Sequence, residues 1–215
     1  MPGARAPGSG RRPVRVFVMP GGIPPLSNGT SMAWIRIVEP EHADEALARL
    51  LDRAAPGRRP DNILLAHGLR PHTLAGHLAL YRAVCHHPAN ALDRAFAEAL
   101  GVLVSLVNGC RYCVVHHAEG LRRALADPAR AEAWLTALES GPRREVFDTR
   151  QRAALAYVEQ LTREPAALAA RDLQVLRDAG WDDGEILEIN QIAAYFAYAN
   201  RVVLGLGVEM ESERR

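Results

Sequence analysis

The chain has 215 residues, of which 48% are hydrophobic and 24% charged, a globular balance that supports one buried core and argues against a disordered or fibrous protein. Its 26 basic residues, all of them arginine, nearly cancel 25 acidic ones, so a net charge of +1 gives no reason to expect nucleic acid or an anionic membrane as a partner. No run approaches the roughly 18 apolar residues of a membrane span, and Cys85, Cys110 and Cys113 are too few, and odd in number, for a disulfide scaffold.

Residues 1–31 are rich in Gly, Pro and Arg without a helical period and read as a disordered arm. The stretch Arg11 to Met19 looks like a signal peptide only superficially, because Arg15 interrupts its apolar part and Pro20-Gly21-Gly22 breaks it. With one close cysteine pair, that reading points to a reducing, cytoplasmic setting. The packed domain is expected over 32–210, with Met32 as an alternative start and 211–215 as a solvated acidic and basic tail.

From residue 39 the pattern is helical. Ala46, Leu47, Leu50 and Leu51 form one stripe that ends at Pro56-Gly57. Asp61-Asn62 begins a short helix through Leu64, Leu65 and Leu69. Pro71 suits the first turn of the next, which carries Leu74, Leu78, Leu80 and Tyr81 and stops before Pro88. A longer helix is expected over 91–107, stopped by Asn108-Gly109, and another over 110–125. Asp127-Pro128 starts a helix with Trp134 and Leu135. Three more are expected over 144–161, 167–179 and 183–204. The fold class is all-α, a multi-helix bundle around a shared core.

Chemistry concentrates between Glu98 and His117. Cys110 and Cys113 stand directly after the helix stop, Cys110 near the cap and Cys113 in the first turn. Unpaired amides and the positive dipole end favour a thiolate there. His117 lies four residues past Cys113 on the same helical face, and Glu98 meets that face if the chain folds back at Asn108-Gly109. The helix-end argument favours Cys110 as the more acidic thiol; proximity to His117 favours Cys113 as the attacking one. A c-type haem site needs His directly after the second Cys, where Val114 stands. A structural zinc wants four ligands, and this pair with one histidine offers three. A thioredoxin fold places such a pair after a strand, not a helix. No metal or cofactor is expected.

The spacing Glu98, eleven residues, Cys110, two residues, Cys113, three residues, His117 resembles the signature of the AhpD-like alkylhydroperoxidases, in the carboxymuconolactone decarboxylase superfamily. The approach Ser105-Leu106-Val107-Asn108-Gly109, the His116-His117 pair, Ala194-Tyr195-Phe196, Asn200-Arg201 and Gly205-Leu206-Gly207-Val208 resemble its uncharacterised peroxidase-related branch. Where such relatives usually carry a charged residue just before the Glu, Phe96-Ala97 stand here. The resemblance implies an AhpD-like helical fold, assembly as a homo-oligomer (a trimer or hexamer), and thiol peroxidase activity toward hydroperoxides. It implies Cys113 as the peroxide-attacking thiol, Cys110 as its resolving partner, and His117 with Glu98 as a proton relay. On this reading an attacked peroxide leaves a sulfenic acid, the second thiol closes a disulfide, and an external dithiol reduces it. A carboxymuconolactone decarboxylase-like lyase is the alternative enzyme, and a redox-sensing helical protein without turnover is the non-enzymatic one.

His116 points about 100° from His117 and either assists the relay or caps a core edge. Cys85-His86-His87 reads as a helix end rather than a metal site. His67, His72 and His77 read as surface or interface residues. Tyr195, Phe196, Tyr198 and Trp181 read as core or subunit interface. Asn200-Arg201 reads as pairing across an interface or fixing the active-site helix.

Overall fold

The computed structural model describes residues 32–140 and 145–211, so the arm read at 1–31 and the last four residues lie outside the described residues. Among the described residues there are nine α-helices and no strand: α1 (Glu45–Ala54), α2 (Asn62–Ala66), α3 (Pro71–His86), α4 (Arg94–Val107), α5 (Arg111–Leu125), α6 (Pro128–Ser140), α7 (Thr149–Arg163), α8 (Ala170–Asp178) and α9 (Asp183–Leu206). None of them is long and apolar enough to cross a membrane.

Every residue from Ala95 to Ser105 is buried, so α4 is apolar all round and forms the centre of the bundle. Helices α5, α6, α7 and α9 pack around it. A smaller cluster of Leu47, Leu51, Leu64, Leu65, Leu74 and Leu78 joins α1, α2 and α3. The approach of α9 to α4 is set by Gly101, where a Cβ would stand 2.5 Å from the Phe196 ring. Any side chain there would push the two helices apart.

Helix ends account for most departures from the expected boundaries. α4 starts at Arg94 rather than at 91, because the Glu188 carboxylate accepts from the amides of Ala91 and Leu92, both at 2.9 Å, and Asp93 caps the helix. α7 starts at Thr149, where Asp148 and Gln151 form a reciprocal capping box. The segment expected as one helix over 167–179 divides into a 3-10 turn, Pro165–Ala167, and α8. α9 runs to Leu206 and ends at Gly207 in the left-handed region (φ 59°), against which the Trp34 ring packs.

Depth was harder to read than periodicity. Leu80, placed on the apolar stripe of α3, is 45% exposed. His67 and His77, read as surface or interface residues, are buried at 8% and 5% exposure. Their rings lie 4.7 Å apart, tilted by 36°, and His77 also meets the Tyr195 and Tyr198 rings, a tertiary arrangement with no local sequence signal.

Candidate active site

The turn between α4 and α5 is three residues long. Gly109 takes the left-handed conformation (φ 69°), and the Cys110 amide donates to the Ser105 carbonyl at 2.8 Å, which closes the helix end and starts the next. Cys110 becomes the N-cap of α5 and Cys113 the third residue of its first turn. The two sulfurs face each other. The Cys113 thiol donates to Cys110, and with the Cys113 backbone amide and nearby His116 it brings Cys110 down to about 7 against the effect of burial. Cys113 is pushed up, as the donor in that bond, by burial and by the adjacent Cys110 charge, and Asn200 offsets this only in part. The reduced pair therefore carries its charge on Cys110.

Asn200 is fully buried and ties the site together. Its Nδ2 donates to Ser105 Oγ at 3.1 Å, its Oδ1 accepts from Asn108 Nδ2 at 2.9 Å, and its side chain reaches Cys113. Of the two roles read for this polar pair, Asn200 takes the one inside the protein, whereas Arg201 is exposed and bonds back to the Ala197 carbonyl.

Glu98 and His117 meet across α4 and α5, with Nδ1–H of His117 donating to Oε2 of Glu98 at 2.7 Å. The Arg94 guanidinium, one turn earlier on α4, donates to Oε1 at 2.5 Å. It supplies the positive charge that Phe96-Ala97 lack. Burial alone would raise the Glu98 carboxyl, but His117 and Arg94 outweigh it and hold the group below the usual carboxylate range. Gly120 makes room for this: a Cβ there would stand 2.7 Å from the carboxylate. Arg94 also bonds the Cys85 carbonyl at 2.8 Å and the His86 ring. Burial, then the Arg94 charge, lowers His86.

His117 and Glu98 line a cavity with Tyr81, Cys85, Arg94, Ala97 and Phe196. The cavity measures about 10 Å³, room for roughly one water. A wider cavity of about 220 Å³ adjoins it along Cys85, His86, His87 and Asn90, sharing Cys85, Arg94 and Ala97. Burial and the Glu98 charge push the Cys85 thiol up to about 12.

His116 faces away from that cavity. Its Nδ1 donates to the Tyr112 carbonyl at 2.9 Å and its Nε2 meets Glu211 Oε2 at 3.0 Å. Glu211 also accepts from the Tyr112 hydroxyl at 2.6 Å and the Asn62 amide at 2.8 Å. Burial opposes both shifts, yet pairing raises His116 and holds Glu211 down to about 2. The residue expected to begin a solvated tail is thus bonded to α2 and α5.

The structure joins Cys110 with Cys113 and Glu98 with His117, but it does not bring all four into one hydrogen-bonded chain. Among the described residues, neither sulfur is hydrogen-bonded to His117. The sulfurs are also covered. Cys110 is 0% and Cys113 3% exposed, in a cluster with Ala33, Ala66, Tyr112, Val203 and Val208. The covering segments are pinned to each other, with the Trp34 amide on the Leu206 carbonyl and the Glu209 amide on the Met32 carbonyl.

Residues 71–160, from α3 into α7, match the carboxymuconolactone decarboxylase family. A search of curated protein sequences finds no match. Among solved structures, the fold is similar to that of the alkylhydroperoxidase AhpD core, an uncharacterized peroxidase-related protein from Ralstonia eutropha JMP134, at 22% identity and a TM-score of 0.73, covering 86% of this chain and 95% of that one. An uncharacterized peroxidase-related protein from Silicibacter sp. TM1040 gives 23% identity and 0.73, with 87% and 96% covered. The debrominase Bmp8, as a cysteine-to-alanine variant in complex with 2,3,4-tribromopyrrole, gives 19% and 0.63, with 78% and 85% covered. The protein therefore has an AhpD-like all-helical fold whose residues 71–160 match the carboxymuconolactone decarboxylase family.

Proposed function

We propose that this protein is a dithiol peroxidase that reduces hydroperoxides with Cys110 and Cys113, assisted by His117 and Glu98. The observation that carries the reading is the bonded thiol pair at the mouth of α5, with Cys110 brought down to about 7. A helix N-terminus and a neighbouring thiol donor are what stabilise a reactive thiolate, and here they outweigh burial.

In the first step the Cys110 thiolate attacks one oxygen of the peroxide and the O–O bond breaks. Cys110 becomes a sulfenic acid, and the departing alkoxide takes the Cys113 thiol proton. The new Cys113 thiolate then attacks the sulfenic sulfur. A disulfide forms, and the departing hydroxide takes a proton from His117 to give water. Glu98 orients that imidazole and stabilises it when charged. An external dithiol returns two electrons and two protons; one proton restores the Cys113 thiol, the other returns to His117, and Cys110 is left as the thiolate. The family likeness exchanges the two thiol roles, with Cys113 attacking; the hydrogen bond from Asn200 to Cys113 favours that second reading.

The same fold carries a debrominase, so the assay that matters uses peroxide itself. A lyase reading fits the dithiol poorly, since lactone chemistry needs a general base and an anion site. A reducing, cytoplasmic setting and assembly as a homo-oligomer, trimer or hexamer, belong to this proposal. Leu187 and Tyr198, 55% and 40% exposed on one face of α9, support the assembly reading.

The test is steady-state turnover of an alkyl hydroperoxide with candidate dithiol reductants. Cys110→Ser and Cys113→Ser each bring turnover to the uncatalysed background. Cys113→Ser, which retains the Cys110 thiolate, forms a dimedone adduct on peroxide treatment. An adduct found only in Cys110→Ser assigns attack to Cys113. Full turnover by the double serine protein overturns the thiol mechanism.

A further inference from the structure

A second cluster of ligating side chains lies outside the relay. Asp61, His116 and Glu211 each present one ligand atom, and these atoms lie within 4.8 Å of one another. They come from three separate parts of the chain: the residue before α2, the middle of α5, and the C-terminal segment. We infer that Asp61, His116 and Glu211 form a binding site for a divalent transition-metal ion.

Three observations support this. The first is ligand spacing. Nitrogen and oxygen ligands bound at about 2.1 Å stand about 3.0–3.4 Å apart at right or tetrahedral angles. His116 Nε2 and Glu211 Oε2 are already 3.0 Å apart, and the Asp61 ligand oxygen lies within 4.8 Å of both. The second is the outer support typical of metal sites. Nδ1–H of His116 donates to the Tyr112 carbonyl, which turns Nε2 toward Glu211, where a metal ion would take the place of the Nε2 proton. Glu211 is oriented by the Tyr112 hydroxyl and the Asn62 amide, and Asp61 by Arg58 at 2.8 Å from the solvent side. The third is charge. Asp61 precedes α2 as its N-cap but makes no capping bond; Glu211 takes the Asn62 amide instead. Two half-buried carboxylates thus converge on one imidazole nitrogen, an arrangement that a cation between them stabilises.

One imidazole, two carboxylates and open solvent positions suit manganese, iron or zinc. The ion would bridge the C-terminal segment to α2 and α5, beside the Cys110 end of the thiol pair. This inference does not rest on peroxidase activity.

Manganese is the probe, because it prefers oxygen and nitrogen to thiolate, so the cysteines compete poorly for it. Titration of the metal-free full-length protein with Mn²⁺, followed by loss of the free-ion EPR signal, is expected to show one ion bound per chain. Glu211→Gln and Asp61→Asn each weaken binding by at least about tenfold, with far-UV circular dichroism confirming that both fold. Absence of a stoichiometric site in the folded wild type, or equal affinity in both folded variants, overturns the inference.

Discussion

His116 and His117 are neighbours in the chain, yet each meets a carboxylate on a different side of α5. His117 pairs with Glu98 deep in the bundle, where the carboxylate side chain is 6% exposed and also bound by Arg94. His116 pairs with Glu211 near the surface, where the carboxylate is 32% exposed and bound by a phenol and a backbone amide. The deep pair is held between α4 and α5 inside the bundle. The shallow pair joins α5 to a short segment at the chain's end. A buried carboxylate cannot lose a partner cheaply, whereas a half-exposed one is screened by water. The deep pair is therefore the more costly of the two to disturb.

Glu98 is the point at which the deep pair is most sensitive to substitution. Glu98→Gln removes the negative partner of both His117 and Arg94 while keeping the shape, and is expected to slow the peroxide step by about a hundredfold. Stopped-flow rates across pH, with circular dichroism to confirm folding, make the check; rates that match the wild type at every pH take Glu98 out of the mechanism.

Gly120→Ala tests the same pair by crowding. The new Cβ would stand 2.7 Å from the Glu98 carboxylate, so the carboxylate must move or the helices must separate. A loss of about 1–3 kcal/mol in urea unfolding is expected, with a slower peroxide step. A normal rate would mean that the Glu98–His117 geometry is not critical.

The shallow pair should respond with a smaller change of opposite sign. Glu211→Gln weakens the hold of the C-terminal segment, and in metal-free buffer the thiols are expected to alkylate about two- to fivefold faster, the factor that a half-exposed ion pair worth up to ~1 kcal/mol allows. Unchanged labelling would show that the segment does not limit access.

Much of the deep site was legible in the sequence. A helix stop followed by two cysteines put Cys110 at a cap, and the hairpin at Asn108-Gly109 let Glu98 face His117, which is where the structure has it. Arg94 was within reach of the same reasoning, being one helical turn from Glu98. An isolated glycine inside α5 was the available signal for Gly120, since such a residue marks a close approach. Glu211 had no comparable signal. It sits in an acidic run without a helical period, and its partners are 95 to 149 positions away in the chain. Cover over the thiols was equally hidden, because Ala33 and Val208 reach the cysteines through tertiary packing alone. The burial of His67 and His77 was missed for the same reason.

The proposed thiol chemistry turns on where the charge of the pair lies. Cys110 is brought from its ordinary value of 9.0 to about 7, and the thiolate forms as pH rises. Its capture by iodoacetamide, located by peptide mass spectrometry, should therefore rise through a midpoint near pH 7. Cys113→Ala removes the donor and should move that midpoint upward. A Cys110 midpoint at 9 or above in the wild type, or one that Cys113→Ala leaves in place, would contradict the account.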